Sequence, residues 1–189
     1  MGETKTFLSD SKDMAIIFSP LLWNSLPQNS RKPDAGRMLS HFHALLISRE
    51  NSLLFNWLLI IVIRCKQGDL ARKKIYPTIW WLYRDNLLPK NTIFYGYARS
   101  HMKVEEVRAK SHQYMKVKEE EQERYEAFWE ANRYFAGGYD SRRDFEMLDQ
   151  EMIQHERGPA ANRLFYLAVP PFVFEAVTAN IRSSCMASK

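Results

Sequence analysis

Three apolar runs of six residues each constrain the fold of this chain more than any other feature. They occupy residues 58–63 (LLIIVI), 92–97 (TIFYGY) and 164–169 (LFYLAV). Continuous runs of this length, rich in branched and aromatic side chains, are typical of strands that are buried on both faces of a parallel sheet. Segments with helical spacing lie between them. The pattern predicts an α/β fold in which the three runs are neighbours in a parallel sheet of three or four strands.

The segments between these runs predict the helices and one further strand. A helix is expected from residue 70, with Pro77 causing a kink or a late start. The charged stretch 103–131, which has no glycine or proline, predicts one or two surface helices. A third, short strand is expected at residues 133–139, and helices are expected at 144–154 and 172–184. These helices would cover both faces of the sheet.

Residues 1–57 have a different character from the rest of the chain. Three prolines and Gly36 interrupt their short apolar patches, and no steady periodicity is present. Prolines and glycines that interrupt apolar segments in this way are typical of loops. We therefore expect an irregular leader over residues 1–57 and a single sheet-containing domain over residues 58–189.

The positive charge of the chain is concentrated in one segment. The formal net charge is +5, and residues 64–84 contain six basic side chains against one acid, Asp69. A charge focus this local suggests a small anionic ligand more than a long polyanion. No helix-turn-helix, zinc-finger or RNA-binding motif is present, so we expect no nucleic-acid partner.

Other classes of protein are disfavoured by the sequence. The longest apolar run, residues 53–63, is 11 residues long, whereas a membrane span needs roughly 18 to 20. Cys65 and Cys185 are the only cysteines and form no CxxC pair, and no secretory signal opens the chain, so a reducing compartment such as the cytoplasm is expected. His41 and His43 lack a third ligand at useful spacing, so no metal site is predicted.

A turn that could bind phosphate follows the first run. In dinucleotide-binding domains, glycines bring the backbone close to a pyrophosphate at a helix N-terminus. Here Gly68 is the only glycine of the turn, so the pattern alone leaves a plain turn open as an alternative. Arg72 and the two lysines after it would oppose the helix dipole unless an anion were bound. That mismatch favours a phosphate site.

The end of the second run indicates which dinucleotide the site would prefer. An acidic residue there usually binds the ribose 2′-hydroxyl of NAD, whereas an arginine suits the 2′-phosphate of NADP. The position holds Arg99, followed by Ser100, and the next acid along the chain is Glu105. A dinucleotide site in this chain would therefore select NADP.

Four segments resemble the glucose-6-phosphate dehydrogenases, in the same order as in that family. They are residues 68–77 (GDLARKKIYP), 80–82 (WWL), 96–100 (GYARS) and 162–171 (NRLFYLAVPP). The resemblance covers residues 68–189 and implies a Rossmann domain that binds NADP, incomplete in this chain. It also implies oxidation of glucose 6-phosphate to 6-phosphogluconolactone, in the pentose phosphate pathway. Full-length members form homo-oligomers, and whether this chain assembles is left open.

The resemblance assigns roles to individual residues. Gly68, Asp69, Leu70 and Arg72 would line the pyrophosphate, and Arg99 would bind the 2′-phosphate. Tyr139, Ala168 and Pro170 would lie along the path from adenine to nicotinamide. Phe174 stands where the family often has tyrosine.

The chain also departs from the family. The first glycine and the serine of the family's turn are replaced by Cys65 and Gln67, and the sequence before Gly68 does not resemble the family. The family's Glu-Lys-Pro and Arg-Ile-Asp-His-Tyr segments, which carry a lysine and the general base, do not occur among these 189 residues. No catalytic residue is therefore assigned, and we expect the chain to be inactive alone. A non-catalytic nucleotide-binding or subunit-interaction fragment is the alternative.

Overall fold

One sheet organises the part of the chain that the computed structural model describes, which comprises residues 7–8, 14–18, 57–64, 71–156 and 162–186. Its strands are β1 (Phe7–Leu8), β2 (Met14–Phe18), β3 (Trp57–Arg64), β4 (Asn91–Ala98), β5 (Asn132–Ala136) and β6 (Asn162–Ala168). Their spatial order is β1-β2-β6-β3-β4-β5. All neighbouring pairs are parallel except β1 and β2. The three apolar runs lie in β6, β3 and β4, which are adjacent as predicted.

The strand order is that of a dinucleotide-binding sheet. Read from β5, the order β5-β4-β3-β6 corresponds to positions 3-2-1-4 of the Rossmann fold. The direction in which successive strands are added reverses between β3 and β6. Ligands of open α/β sheets bind outside the carboxyl ends of the strands at such a switch point. The predicted α/β class, with helices flanking a parallel sheet, is confirmed.

The helices follow the strands in the predicted order. A π-helical turn, Ala71–Ile75, leads into the first α-helix, and Pro77 lies in the first turn of that helix, which is the predicted late start. Three-residue 3₁₀ turns precede the third and fifth helices at Glu119–Glu121 and Pro171–Val173. The α-helices are α1 (Tyr76–Arg84), α2 (Val104–Met115), α3 (Gln122–Glu130), α4 (Arg142–His155) and α5 (Phe174–Ser184). None of the helices in the described ranges is long and apolar enough to cross a membrane.

Two hydrophobic cores lie on opposite faces of the sheet. Helices α1, α2 and α3 pack on one face, and α4 and α5 pack on the other. Strand β6 contributes to both, because Leu164 and Tyr166 belong to the first core while Phe165 and Leu167 belong to the second. Burial on both faces explains why this strand is continuously apolar.

The structure differs from the prediction at two places. The leader was expected to be irregular, but β1 and β2 lie within it and extend the sheet, so that five parallel strands are described. Strand β2 pairs with β6, whose position in the sequence is distant, and local periodicity does not reveal such a partner. Strand β5 ends at Ala136, because the glycine pair Gly137–Gly138 begins a turn there.

Candidate functional site

The carboxyl ends of the central strands lie along one edge of the sheet. Arg64 at the end of β3 pairs with Ala168 at the end of β6, and Ala98 pairs with Ala136 at the ends of β4 and β5. The residues predicted to bind the coenzyme follow these ends. Among the described residues they are Arg72, Arg99, Tyr139, Ala168 and Pro170. Gly68, Asp69 and Leu70 lie outside the described residues, as do His41 and His43.

Arg99 and Tyr139 are in direct contact. The Cζ atom of Arg99 lies 5.0 Å from the centroid of the Tyr139 ring, a cation–π geometry. Arg99 is exposed, whereas Tyr139 is only 4% exposed. A ligand at this edge would therefore meet the guanidinium of Arg99, with the tyrosine ring beneath it as a support.

Three hydrogen bonds at Gly138 and Tyr139 fix the loop that carries Tyr139. The Tyr97 hydroxyl donates to the carbonyl of Gly138 at 2.6 Å, and the Gly138 N–H donates to a carboxylate oxygen of Asp144 at 2.8 Å. The side-chain amide of Asn180 donates to the carbonyl of Tyr139 at 3.1 Å. Burial, together with the nearby Asp144 carboxylate, raises the pKa of Tyr97, so its hydroxyl keeps the proton that it donates. The loop is thereby tied to β4, α4 and α5.

Gly137 permits this close packing. A Cβ atom at position 137 would lie 2.4 Å from the Tyr97 hydroxyl oxygen and 2.9 Å from Cβ of Asp144. The N–H of Gly137 also donates to the carbonyl of Ala98 at 3.0 Å. The loop after β5 thus lies against the end of β4 only because position 137 has no side chain.

A second set of contacts supports the turn after β4. The Tyr134 hydroxyl donates to the carbonyl of Ser100 at 2.7 Å. The hydroxyl oxygens of Ser100 and Tyr134 lie 3.5 Å apart. Ser100 directly follows Arg99. The backbone on the carboxyl side of Arg99 is therefore connected to the middle of β5.

The turn that follows β3 is basic where it enters α1. Ala71 and Ile75 are buried, Arg72 is half-buried, and Lys73 and Lys74 are exposed. No acid lies in the first turn. Basic side chains at a helix start repel its dipole unless an anion is present. The basic start of this helix is compatible with the phosphate site expected from the sequence, which stays a prediction.

The end of β6 can offer a ligand little beyond its backbone. Ala168 and Val169 are 5% and 3% exposed, so their side chains face the cores. Pro170 is half-buried, and its carbonyl accepts a hydrogen bond from the Val173 N–H at 3.1 Å. Because β6 adjoins β3 at the switch point, this backbone lies beside the end of the first Rossmann strand.

The donor set of this edge fits NADP better than NAD. The turn after β4 presents an arginine and a serine, and the first acid after it is Glu105, inside α2. A carboxylate would be required for the 2′-hydroxyl of NAD, whereas guanidinium N–H groups match a phosphate. Among the described residues at this edge, none is assigned as a general base.

Sequence reasoning missed the residues that hold Arg99 and Tyr139 in place. They are Tyr97, Tyr134, Asp144 and Asn180. Their roles arise from contacts between elements up to 41 positions apart, which no local pattern reveals. The glycine pair before Tyr139 was the one available signal, since adjacent glycines often mark a close approach of the backbone.

Comparison with known proteins identifies the family. The sequence model described as "Glucose-6-phosphate dehydrogenase, NAD binding domain" matches residues 62–189. The match begins six residues before Gly68, so the likeness extends further towards the N-terminus than the motifs alone indicated. Glucose-6-phosphate 1-dehydrogenase of Ceratitis capitata is 57% identical over 129 residues, which are 68% of this chain and 24% of that protein. The corresponding protein of Culex pipiens is 56% identical over 111 residues, which are 59% of this chain and 72% of the relative.

A solved structure agrees with the sequence comparisons. Glucose-6-phosphate dehydrogenase in complex with its substrate glucose 6-phosphate superposes with a TM-score of 0.63 at 30% identity, over 70% of this chain and 28% of that one. The chain thus spans about a quarter of the Ceratitis relative and of this solved structure. With the Rossmann strand order and the strand-end arginine already in place, these matches show that the chain belongs to the glucose-6-phosphate dehydrogenase family and contains its NAD-binding domain.

Proposed function

We propose that this chain binds NADP at the carboxyl edge of its sheet, as the coenzyme-binding part of an enzyme that oxidises glucose 6-phosphate to 6-phosphogluconolactone. The observation that carries the proposal is the exposed guanidinium of Arg99 at the end of β4, with no acid in that turn. The family match supports the reaction, and the related structure was solved with glucose 6-phosphate. The pathway is then the oxidative entry to pentose phosphates.

Each predicted site residue has a part in this proposal. Gly68, Asp69, Leu70 and Arg72 are proposed to bind the pyrophosphate, and Arg99 binds the 2′-phosphate while the buried ring of Tyr139 supports it. The backbone from Ala168 to Pro170 lines the path towards the nicotinamide. When bound, NADP supplies the hydride acceptor. This chain's own residues bind and orient it.

The proposal extends to the organisation and location of the chain. Residues 58–189 would form the coenzyme domain, with residues 1–57 as a leader that lends strands to its sheet. A cytoplasmic location is supported by the free thiol of Cys185, which is buried in the second core.

The first test measures coenzyme preference. Arg99→Ala is expected to weaken NADP binding roughly 10- to 150-fold, which corresponds to about 1.5–3 kcal/mol for hydrogen bonds to a charged group, and to leave NAD binding nearly unchanged. Arg99→Lys is the matched control, since it keeps the charge but loses the bidentate geometry. Its NADP affinity should lie between those of the unaltered chain and of Arg99→Ala. Isothermal titration with NADP and NAD gives both affinities. Equal losses for the two coenzymes would contradict the assignment.

The same preparations separate this proposal from its alternative. A pure subunit-interaction fragment would bind neither coenzyme. The chain contains neither of the family segments that carry the lysine and the general base, so NADP binding without NADPH formation from glucose 6-phosphate is the expected result. General-base catalysis alone contributes about 10²- to 10⁴-fold, so a chain without that group should show no measurable turnover.

A further inference from the structure

The hydroxyl of Tyr134 makes a contact that packing does not require. The ring of Tyr134 lies against the core formed by α1, α2 and α3, and a phenylalanine ring would fill the same space. The hydroxyl, however, donates to the carbonyl of Ser100 at 2.7 Å, 34 positions away. Its partner is the backbone that directly follows Arg99.

The strand pairing is built so that the ring can reach this carbonyl. Tyr134 on β5 is paired with Gly96 on β4, four residues before Ser100. A Cβ atom at position 96 would lie 2.7 Å from the Tyr76 hydroxyl oxygen and 3.0 Å from Cδ2 of Tyr134, so a side chain there would press on both residues. With glycine at this position, the ring lies along β4 and the hydroxyl reaches the end of the strand.

Arg99 is therefore held from two sides. The Tyr139 ring lies under its guanidinium, with Cζ 5.0 Å from the ring centroid. The Tyr134 hydroxyl fixes the carbonyl of Ser100, the residue that directly follows Arg99. An exposed arginine with neither support would lose several side-chain and backbone rotations on binding, and that entropy loss reduces affinity.

From this geometry we propose that Tyr134 is a positioning residue for coenzyme selectivity. By fixing the Ser100 carbonyl, it sets the direction in which Arg99 leaves β4, and so aims the guanidinium at the 2′-phosphate. The inference rests on the proposed function, because it takes Arg99 as the residue that binds this phosphate. Tyr134 itself touches no ligand.

The test is the conservative variant Tyr134→Phe in the full chain. Losing one hydrogen bond is expected to lower the ratio of NADP affinity to NAD affinity about three- to tenfold. NAD affinity should stay within about twofold, since NAD has no phosphate for Arg99 to bind. Tyr114→Phe, which removes a hydroxyl from α2, is the matched control and should leave the ratio unchanged.

A double-variant cycle distinguishes positioning from a general structural effect. If Tyr134 acts through Arg99, Tyr134→Phe should not weaken NADP binding further when Arg99→Ala is already present. Equal losses of NADP and NAD, or the same loss in the Arg99→Ala background, would overturn the proposal.

A measurement without coenzyme separates failure of this inference from failure of the proposed function. The Cζ atom of Arg99 lies 5.0 Å from the centroid of the Tyr139 ring, so the ring affects the nuclear magnetic resonance shift of the Arg99 Nε–H proton and that shift reports where the guanidinium is. Tyr134→Phe should move this signal towards the value of a free arginine, and Tyr114→Phe should not. If the chain bound no NADP, the proposed function would be refuted. The Arg99 shift would still show whether Tyr134 positions Arg99, because it is measured without coenzyme. An unchanged Arg99 signal in Tyr134→Phe would refute the positioning itself.

Discussion

Single residues at the carboxyl edge differ in how directly they act on a ligand. Arg99 is exposed and carries the charge, whereas Tyr139 is buried beneath it and Tyr134 contacts the residue that follows it. The sequence singles out two of these, Arg99 from its place after an apolar run and Tyr139 from its position within the family resemblance. It does not single out Tyr134, because the pairing of β5 with β4 decides where its hydroxyl lies.

Gly137 gives a prediction for stability at this scale. Gly137→Ala places a Cβ atom 2.4 Å from the Tyr97 hydroxyl oxygen, so the loop or the tyrosine must shift. Forcing an atom into a packed site costs about 1–3 kcal/mol, and the free energy of unfolding should fall by that amount in urea denaturation. Gly138→Ala is the matched control, since the nearest atom to its added Cβ is 3.2 Å away. If both variants lost the same stability, the close approach at position 137 would not be the cause.

At the scale of elements, α4 and α5 are attached to β6 through Arg163. This side chain is 1% exposed and donates to Glu156 at 2.6 Å, to Asp149 and to the carbonyl of Cys185. Burial alone would lower the pKa of Arg163, but its two carboxylate partners outweigh that effect and raise it. In the sequence, Arg163 stood out only as part of the family segment 162–171, and its presence inside an apolar strand had no explanation. The ion pairs explain why the strand tolerates it.

Cys185, at the end of α5, predicts how the packing of these helices responds to alkali. Its thiol donates to the carbonyl of Phe145 in α4, and burial raises its pKa from 9.0 to about 12. The pKa of the thiol is therefore higher in the folded chain than in the unfolded chain. Burying the neutral thiol carries no penalty below pH 9, but the free energy of unfolding falls as the pH rises towards 12, because the unfolded chain then loses this proton more readily. The loss is up to about 1.4 kcal/mol per pH unit.

The control for this pH dependence is Cys185→Ala, which removes the titrating group. Both proteins contain the same tyrosines and lysines, so the difference between their slopes isolates the thiol. Between pH 9 and 11, the free energy of unfolding should fall more steeply in the unaltered chain. Parallel slopes would mean that the thiol ionises equally in the folded and unfolded states.

The whole molecule shows which parts of a fold a sequence can predict. The class, the central strands and the helix order followed from two-sided apolar runs, which depend on local composition. The strand β2 did not, because it pairs with β6, which lies far away in the sequence, and local composition does not reveal such a partner. Most of β3 precedes residue 62, where the family match begins, yet it pairs in register with both β4 and β6. An apolar run that lies mostly outside the match thus serves as the first Rossmann strand.

The central claim is that NADP binds along the carboxyl edge of this sheet, with its 2′-phosphate on Arg99. Backbone amide signals recorded during an NADP titration test it most directly. The account predicts large shifts at Arg99, Ser100 and Val169, and small shifts at Asn91 and Arg163, which lie near the amino ends of β4 and β6. The shifts at Arg99 and Ser100 should shrink when NAD replaces NADP. Shifts centred on the amino ends, or the same response to both coenzymes, would contradict it.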